Sequence, residues 1–334
     1  MNNPTNILTP RLMLKTGYYE VALELDETDL LFGLFHPAKN HLATLFNDML
    51  LHYVDETSNL PSRCEHNFSK FLFRGQESSV WSLTPSLFRE LNDENAWIKR
   101  EINSLIDFTQ IADLCNIQIP SDSCTLRETL HSQLELKSLL NTTNWVTSDI
   151  YEIMGFAQHY GLSTRLLDWS HHPLVALYFA SISLLLPQSK QHALPSQPQQ
   201  DGYFSLWILN QDHLIDYSID ITIIETPKSL NKNISNQYGC FSSVKQFPTE
   251  NTPRTQSIYQ KINKPFTPQK RLITDELNQK KKDFLLLKIN IPYKSAIDVF
   301  RYCDFMGFNA AKLFNNEYGL QKYIKEYFLL KKSP

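Results

Sequence analysis

The stretch Gln158-His159-Tyr160-Gly161-Leu162-Ser163-Thr164-Arg165-Leu166-Leu167-Asp168-Trp169-Ser170, followed closely by Pro173-Leu174-Val175-Ala176-Leu177-Tyr178-Phe179-Ala180, decides how this chain is read. The second run is apolar on almost every face and opens with proline, a favoured first-turn residue, so it predicts a central buried helix. The first run sets basic side chains, a carboxylate, hydroxyls and an indole immediately before that helix. Unpaired buried polar groups cost about 1–3 kcal/mol each. These side chains therefore satisfy one another in a network, or they are kept for a ligand. Phe73-Arg74-Gly75-Gln76 has the same mixed character. It closes a short apolar run, residues 70–74, that reads as a buried strand stopped by Gly75.

Working outward from these motifs, residues 95–116 predict a helix with Trp97, Ile98, Ile102, Leu105, Ile106, Phe108 and Ile111 as its apolar stripe. A second helix is predicted over 126–140. A third starts at Ser148-Asp149, a good N-cap, and runs into His159. Residues 187–201 are polar and carry three prolines, which predicts a mobile loop. Beyond them the pattern changes to strands at 203–209, 221–225 and 284–291. Two helices close the chain, 295–306 ended by Gly307 and 317–329. Upstream, residues 1–69 read as a helical or mixed leader, with helical apolar spacing over 41–51. The expected fold class is α+β: a mixed or antiparallel sheet with a helix-rich N-terminal half. The expected organisation is an N-terminal leader, 1–60, and one domain over 61–334.

Of the 334 residues, 42% are hydrophobic and 20% charged, with a formal net charge of -3. That balance gives no bulk drive toward nucleic acid or anionic membrane. No apolar run approaches the roughly 20 residues that span a bilayer, and residues 1–6 lack the pattern of a signal peptide. The five cysteines, Cys64, Cys115, Cys124, Cys240 and Cys303, are scattered and odd in number. This argues against a disulfide framework and a zinc site, and a reducing cytoplasm is the expected location.

Arg74 stands before a glycine at a strand end, where a guanidinium can take a phosphate or carboxylate through two parallel bonds. Gly75 would let a ligand approach the backbone. The alternative is an Arg74–Asp168 pair that staples strand to helix. His159 at a helix end can serve as general base or ligand donor, or simply as a satisfied buried histidine. Arg165 and Asp168 at i,i+3 can bridge one another on a helix. Ser163 and Thr164 can cap that helix, and Trp169 reads as core or as a stacking surface. His171 and His172 are adjacent, without the i,i+4 spacing and third ligand of a helical zinc site, so no metal is expected. GxxxxGK[ST], GxGxxG and GxSxG are all missing, which leaves P-loop, Rossmann and hydrolase-elbow mechanisms without support. The run Lys280-Lys281-Lys282 reads as a solvated turn.

Together these residues resemble the FRG domain, named for its first motif. The resemblance rests on Phe73-Arg74-Gly75-Gln76, on the stretch from Gln158 to Ser170, and on Pro173 to Ala180. Gln237-Tyr238-Gly239-Cys240-Phe241 is similar to the family's Gln-x-Gly-x-Phe element, and the region from Gly307 to Leu320 to its closing element. Ser163 stands where the family usually has proline, and Asn315-Asn316-Glu317 replaces Pro-Asp-Leu. The order of elements is also similar to arginine-class ADP-ribosyltransferases. What these likenesses imply is a nucleotide-directed effector that takes NAD as substrate, in a bacterial toxin or phage-defence setting. Arg74, Gly75, Gln76, Ser163, Thr164 and Arg165 would bind the nucleotide, and His159, Asp168 and Gln237 would complete the chemistry, with Glu225 as an alternative carboxylate. The competing reading is a non-catalytic module for nucleotide, a small molecule or single-stranded nucleic acid. A protein or nucleic-acid target is expected for the enzyme, and no membrane partner for either.

Overall fold

A computed structural model describes residues 13–17, 20–24, 31, 32, 35, 71–90, 94–137, 146, 148–186, 202–211, 221–227, 232–244 and 286–332. The helix predicted at 41–51, the loop at 187–201 and the lysine run at 280–282 lie outside these residues. Mixed helices and strands make the chain α+β. Its internal contacts gather into two compact units, Met1–Trp81, Ser170–Ser218 and Ile262–Pro334 in the first, and Ser82–Trp169 and Ile219–Lys261 in the second.

The first unit is built on strands β1 (Met13–Gly17), β2 (Glu20–Glu24), β3 (Phe71–Gln76), β5 (Tyr203–Asn210) and β8 (Leu286–Pro292). Their order in the sheet is β1-β2-β8-β5-β3, antiparallel except for the parallel pair β2 and β8. The stretch read as a helical or mixed leader thus contributes two strands. The strand predicted to stop at Gly75 continues through it, because all of Phe71–Gln76 pairs in register with Asn210–Ser205. Strand alternation sorts the side chains onto two faces. Phe71, Phe73, Phe204, Leu206, Ile208, Leu287, Ile289 and Ile291 join one buried core with helix α5 (Pro173–Leu185) and α7 (Ala296–Phe305). Leu72, Arg74 and Gln76 occupy the other face.

Helix α5 is as central as its composition predicts, with Leu177 fully buried and Leu174, Val175, Tyr178 and Ala180 nearly so. Its first turn is capped by His172, whose Nδ1 accepts from the Leu174 N–H at 3.2 Å. The histidine ring stacks on Phe308 at 4.2 Å. Burial holds the imidazole down at about 4, which keeps Nδ1 available as an acceptor. The short helix α8 (Ala310–Phe314) and α9 (Glu317–Lys332) complete this unit. Glu326 of α9 is buried, accepts from the Tyr178 hydroxyl at 2.6 Å and takes the Ala310 N–H at 3.0 Å.

The second unit contains α1 (Ser86–Glu90), α2 (Glu94–Leu114), α3 (Cys124–Lys137), α4 (Ser148–His159) and α6 (Lys232–Asn236). Strands β6 (Ile221–Ile224) and β7 (Gly239–Val244) form an antiparallel pair in it. Ile102, Leu105, Leu130, Ile150, Ile153, Met154, Leu166 and Phe241 lie in its core. Gly155 allows α4 to meet Phe241, since a Cβ there would sit 2.6 Å from the phenyl ring. The segment from Arg165 to Asp168 is not helical: β4 spans Leu167–Ser170. Extended backbone sends Arg165 and Asp168 in different directions, and the i,i+3 bridge gives way to other partners.

Candidate polar site around His159

In the second unit the motif splits into a buried half and an exposed half. Arg165 is buried, and its Nε donates to Glu101 Oε2 at 2.7 Å with Nη2 on the same oxygen. The Arg165 backbone N–H donates to the other oxygen of that carboxylate at 3.1 Å. Two charges taken out of water are tolerated only when paired and hydrogen-bonded in this way. Arg165, expected among the nucleotide-binding residues, is thereby engaged by a residue of α2. Glu101 was missed from the sequence, although its spacing from Ile98 and Leu105 places it on the apolar stripe, where a carboxylate needs a partner.

Thr164 is also buried. Its hydroxyl donates to Gln158 Oε1, and Leu166 N–H donates to the Thr164 hydroxyl at 3.1 Å. Its backbone N–H reaches Ser86 Oγ at 3.2 Å. Gln158 in turn donates through Nε2 to Asp168 Oδ1. The amide thus bridges a buried hydroxyl to an exposed carboxylate and fixes Asp168 from behind. Ser163 is half-buried beside it and caps no helix. Trp169 is core, its indole N–H bonded to Ser242 Oγ at 2.8 Å.

His159 ends α4 and is exposed. Partial desolvation holds its pKa below the usual value, and the Asp168 carboxylate opposes that shift. The shift favours the uncharged ring, in which one nitrogen accepts and the other donates. The Asn233 amide Nδ2 bonds to His159 Nε2. Asn233 is buried, and its Oδ1 has no hydrogen-bond partner; the same holds for the buried Nδ2 of Asn236. Orphaned buried polar atoms are rare, and each calls for an explanation. Gln237 follows in the next turn, half-buried, with its N–H on Asn233 O at 2.9 Å. Tyr160 and Tyr238 are exposed on either sequence flank, at 56% and 45%. Gly161 at φ 92 has nothing within 4 Å of where a Cβ would stand, so the turn after α4 is open. Glu225 lies past the end of β6 and is exposed. Asn233 and Asn236 were missed from the sequence; only their i,i+3 spacing just before Gln237 marks them.

The first unit holds the Phe-Arg-Gly-Gln motif. Gln76 is buried and accepts from the Trp207 indole N–H at 2.8 Å. Arg74 stands opposite Trp207, and Trp207 opposite Lys288, so the three form one row across the sheet. Lys288 Nζ lies 4.5 Å from the centre of the indole and donates to Ser79 O at 2.6 Å. Gly75 does not leave room for a ligand in the direction of a side chain. A Cβ there would stand 1.9 Å from Ala176 O, so the missing side chain admits helix α5 instead. On that side the space expected for a bound molecule is taken by the helix.

Residues 69–185 match the family model of the FRG domain. Neither a curated protein nor a solved structure matches the chain. No helix among the described residues is long and apolar enough to cross a membrane.

Proposed function

With an FRG domain over residues 69–185 as the premise, we propose that the polar group around His159 binds a nucleotide, that this nucleotide is NAD, and that its N-glycosidic bond is the bond broken. The observation that carries the reading is the exposed His159, its pKa held below the usual value, beside Asn233, whose buried Oδ1 lacks a partner. That oxygen is an acceptor which an amide or exocyclic amine N–H of an entering ligand would satisfy. Tyr160 and Tyr238 supply faces on which a ring can stack.

The step balances without any further reagent. The C1′–N bond to nicotinamide breaks, and nicotinamide leaves as a neutral molecule with the bonding pair. A hydroxyl or guanidino nucleophile of the target bonds to C1′, and its proton passes to His159 Nε2, which gives up the hydrogen bond from Asn233. Asp168, held by Gln158, stabilises the imidazolium that forms. Gln237 cannot accept that proton, because an amide is not a base at this pH. Its part is hydrogen bonding to ribose or amide. The likeness to toxin and phage-defence effectors enters by resemblance and suggests a macromolecular target.

A second reading has its own support. Arg165, Thr164 and Gln158 are engaged inside the fold, which suits a module that binds nucleotide or single-stranded nucleic acid by stacking alone. One pair of assays separates the two. Incubation with NAD, with and without candidate target protein or RNA, should release nicotinamide. His159→Gln should abolish release while NAD still raises the melting temperature. Binding without release in the wild-type protein supports the module. Neither binding nor release removes both.

A further inference from the structure

The outward face of α9 has an order of its own. Leu320, Ile324 and Phe328 follow at i, i+4 and i+8 and are 59%, 47% and 55% exposed. Tyr327 flanks them at 45%. The inward face of the same helix already has its contacts, with Glu326 and Gly319 buried. A surface helix normally carries one apolar stripe, toward its core, and polar residues opposite. This helix carries a second one, toward solvent.

The ends of that outer stripe are charged, and with opposite signs. Glu317 stands one turn before Leu320, and Lys331 one turn after Phe328; both are exposed. About the centre at Ile324 the sequence is self-complementary when read antiparallel. Glu317 falls opposite Lys331 of a second helix, Leu320 opposite Phe328, and Ile324 opposite itself. Residues three and four apart on a helix share a face, so all five lie on one surface. A two-fold interface demands this arrangement, because each contact appears twice with its members exchanged.

We propose that α9 is a homodimerisation surface: two copies of this chain pair antiparallel through the stripe from Leu320 to Phe328, with Glu317 and Lys331 closing each end. Charge complementarity selects this occupant. An anionic lipid surface would be drawn to Lys325 and Lys331 but repelled by Glu317 within the stripe itself, whereas a second copy presents a lysine to that glutamate. Lys331, whose ammonium stands 4.7 Å from the centre of the Tyr327 ring, stays within reach of a partner at the rim. One helix pair covers less than the roughly 1,200 Å² of a standard stable interface, so the dimer should be concentration-dependent.

The test is sedimentation equilibrium on the full chain over a concentration series. The wild-type protein should move from monomer to dimer. Ile324→Glu, which places like charges on the two-fold axis, should weaken association by roughly tenfold or more. Glu317→Lys alone and Lys331→Glu alone should each weaken it, and the double exchange, Glu317→Lys with Lys331→Glu, should restore it. Circular dichroism and melting temperature check that each variant is folded. Ile324→Cys adds an independent measure, since a two-fold axis at this position brings the two introduced thiols together and yields a 324–324 disulfide on mild oxidation. A protein that stays monomeric throughout, or a dimer indifferent to all of these changes, overturns the proposal. Binding to vesicles rich in phosphatidylserine in place of self-association overturns it too.

Discussion

Glu101 and Glu326 are both 1% exposed, and the protein treats them in opposite ways. Glu101, in the second unit, meets a guanidinium and a backbone amide. Glu326, in the first, meets a phenol and a backbone amide, and no cation bonds to it among the described residues. Burial raises the Glu326 pKa, helped by Asp304 and opposed by its hydrogen bonds to Tyr178 and Ala310 and by Lys322. One carboxylate is buried with its counter-charge, and the other is accommodated by shifting it toward the neutral acid. The lesson is that burial alone does not say what a charged residue is doing. The partner does. In the second unit the pairing links α2 to the turn before β4. In the first Glu326 ties α9 to α5 through the Tyr178 hydroxyl and to the start of α8 through the Ala310 N–H.

The largest effect that tests this contrast is Arg165→Ala. It leaves Glu101 buried without a counter-charge and should lower stability in urea unfolding by about 3–5 kcal/mol. Replacing both partners, Glu101→Leu with Arg165→Met, should recover most of that loss, because no isolated charge remains. If the double variant is as unstable as the single one, the pair is positioning backbone rather than balancing charge.

Next in size is His172→Ala, which removes the cap of α5 and should cost about 1 kcal/mol at pH 7. The same residue predicts a pH dependence. The folded ring titrates at about 4 and the unfolded one near 6.5. The unfolded state therefore binds the proton first. The histidine's contribution is complete above 6.5 and is lost as pH falls from 6.5 toward 4. His172→Asn keeps an acceptor at the cap and should flatten that part of the stability profile.

Tyr178→Phe removes one donor from Glu326 and should cost about 0.5–1.5 kcal/mol, well below the loss at Arg165. An equal loss would show that Glu326 is ionised in the fold and that the contrast fails.

The smallest effect is a slope. Because the folded Glu326 holds its proton to higher pH than the unfolded chain, this residue's contribution is full below the unfolded pKa. It is lost as pH rises through the folded one. Glu326→Gln should remove that decline, seen as a flatter profile of unfolding free energy across the weakly acidic range. An unchanged slope means the raised pKa is not expressed.

Much of the frame was legible in the sequence because it rests on local periodicity. The helix from Pro173, the strands around Tyr203 and Leu286, and the helix ending at His159 follow from patterns a few residues long. The reading went astray where a distant partner decides the outcome. Arg165 and Asp168 have helical spacing, yet Arg165 is claimed by a carboxylate on α2, 64 residues away in sequence, and the segment extends into a strand. The polar stretch as a whole was legible as a network. Which members close on each other and which remain outward, His159 and Asp168 above all, was not, because that depends on which residues come from α2 and α6.

Gly75 works as a spacer in this chain. Its hydrogen is the gauge block that sets the clearance between strand and helix, since even a methyl would collide with the Ala176 carbonyl. In this chain the third letter of Phe-Arg-Gly-Gln is therefore accounted for by mechanical tolerance, whatever ligand or target the domain meets.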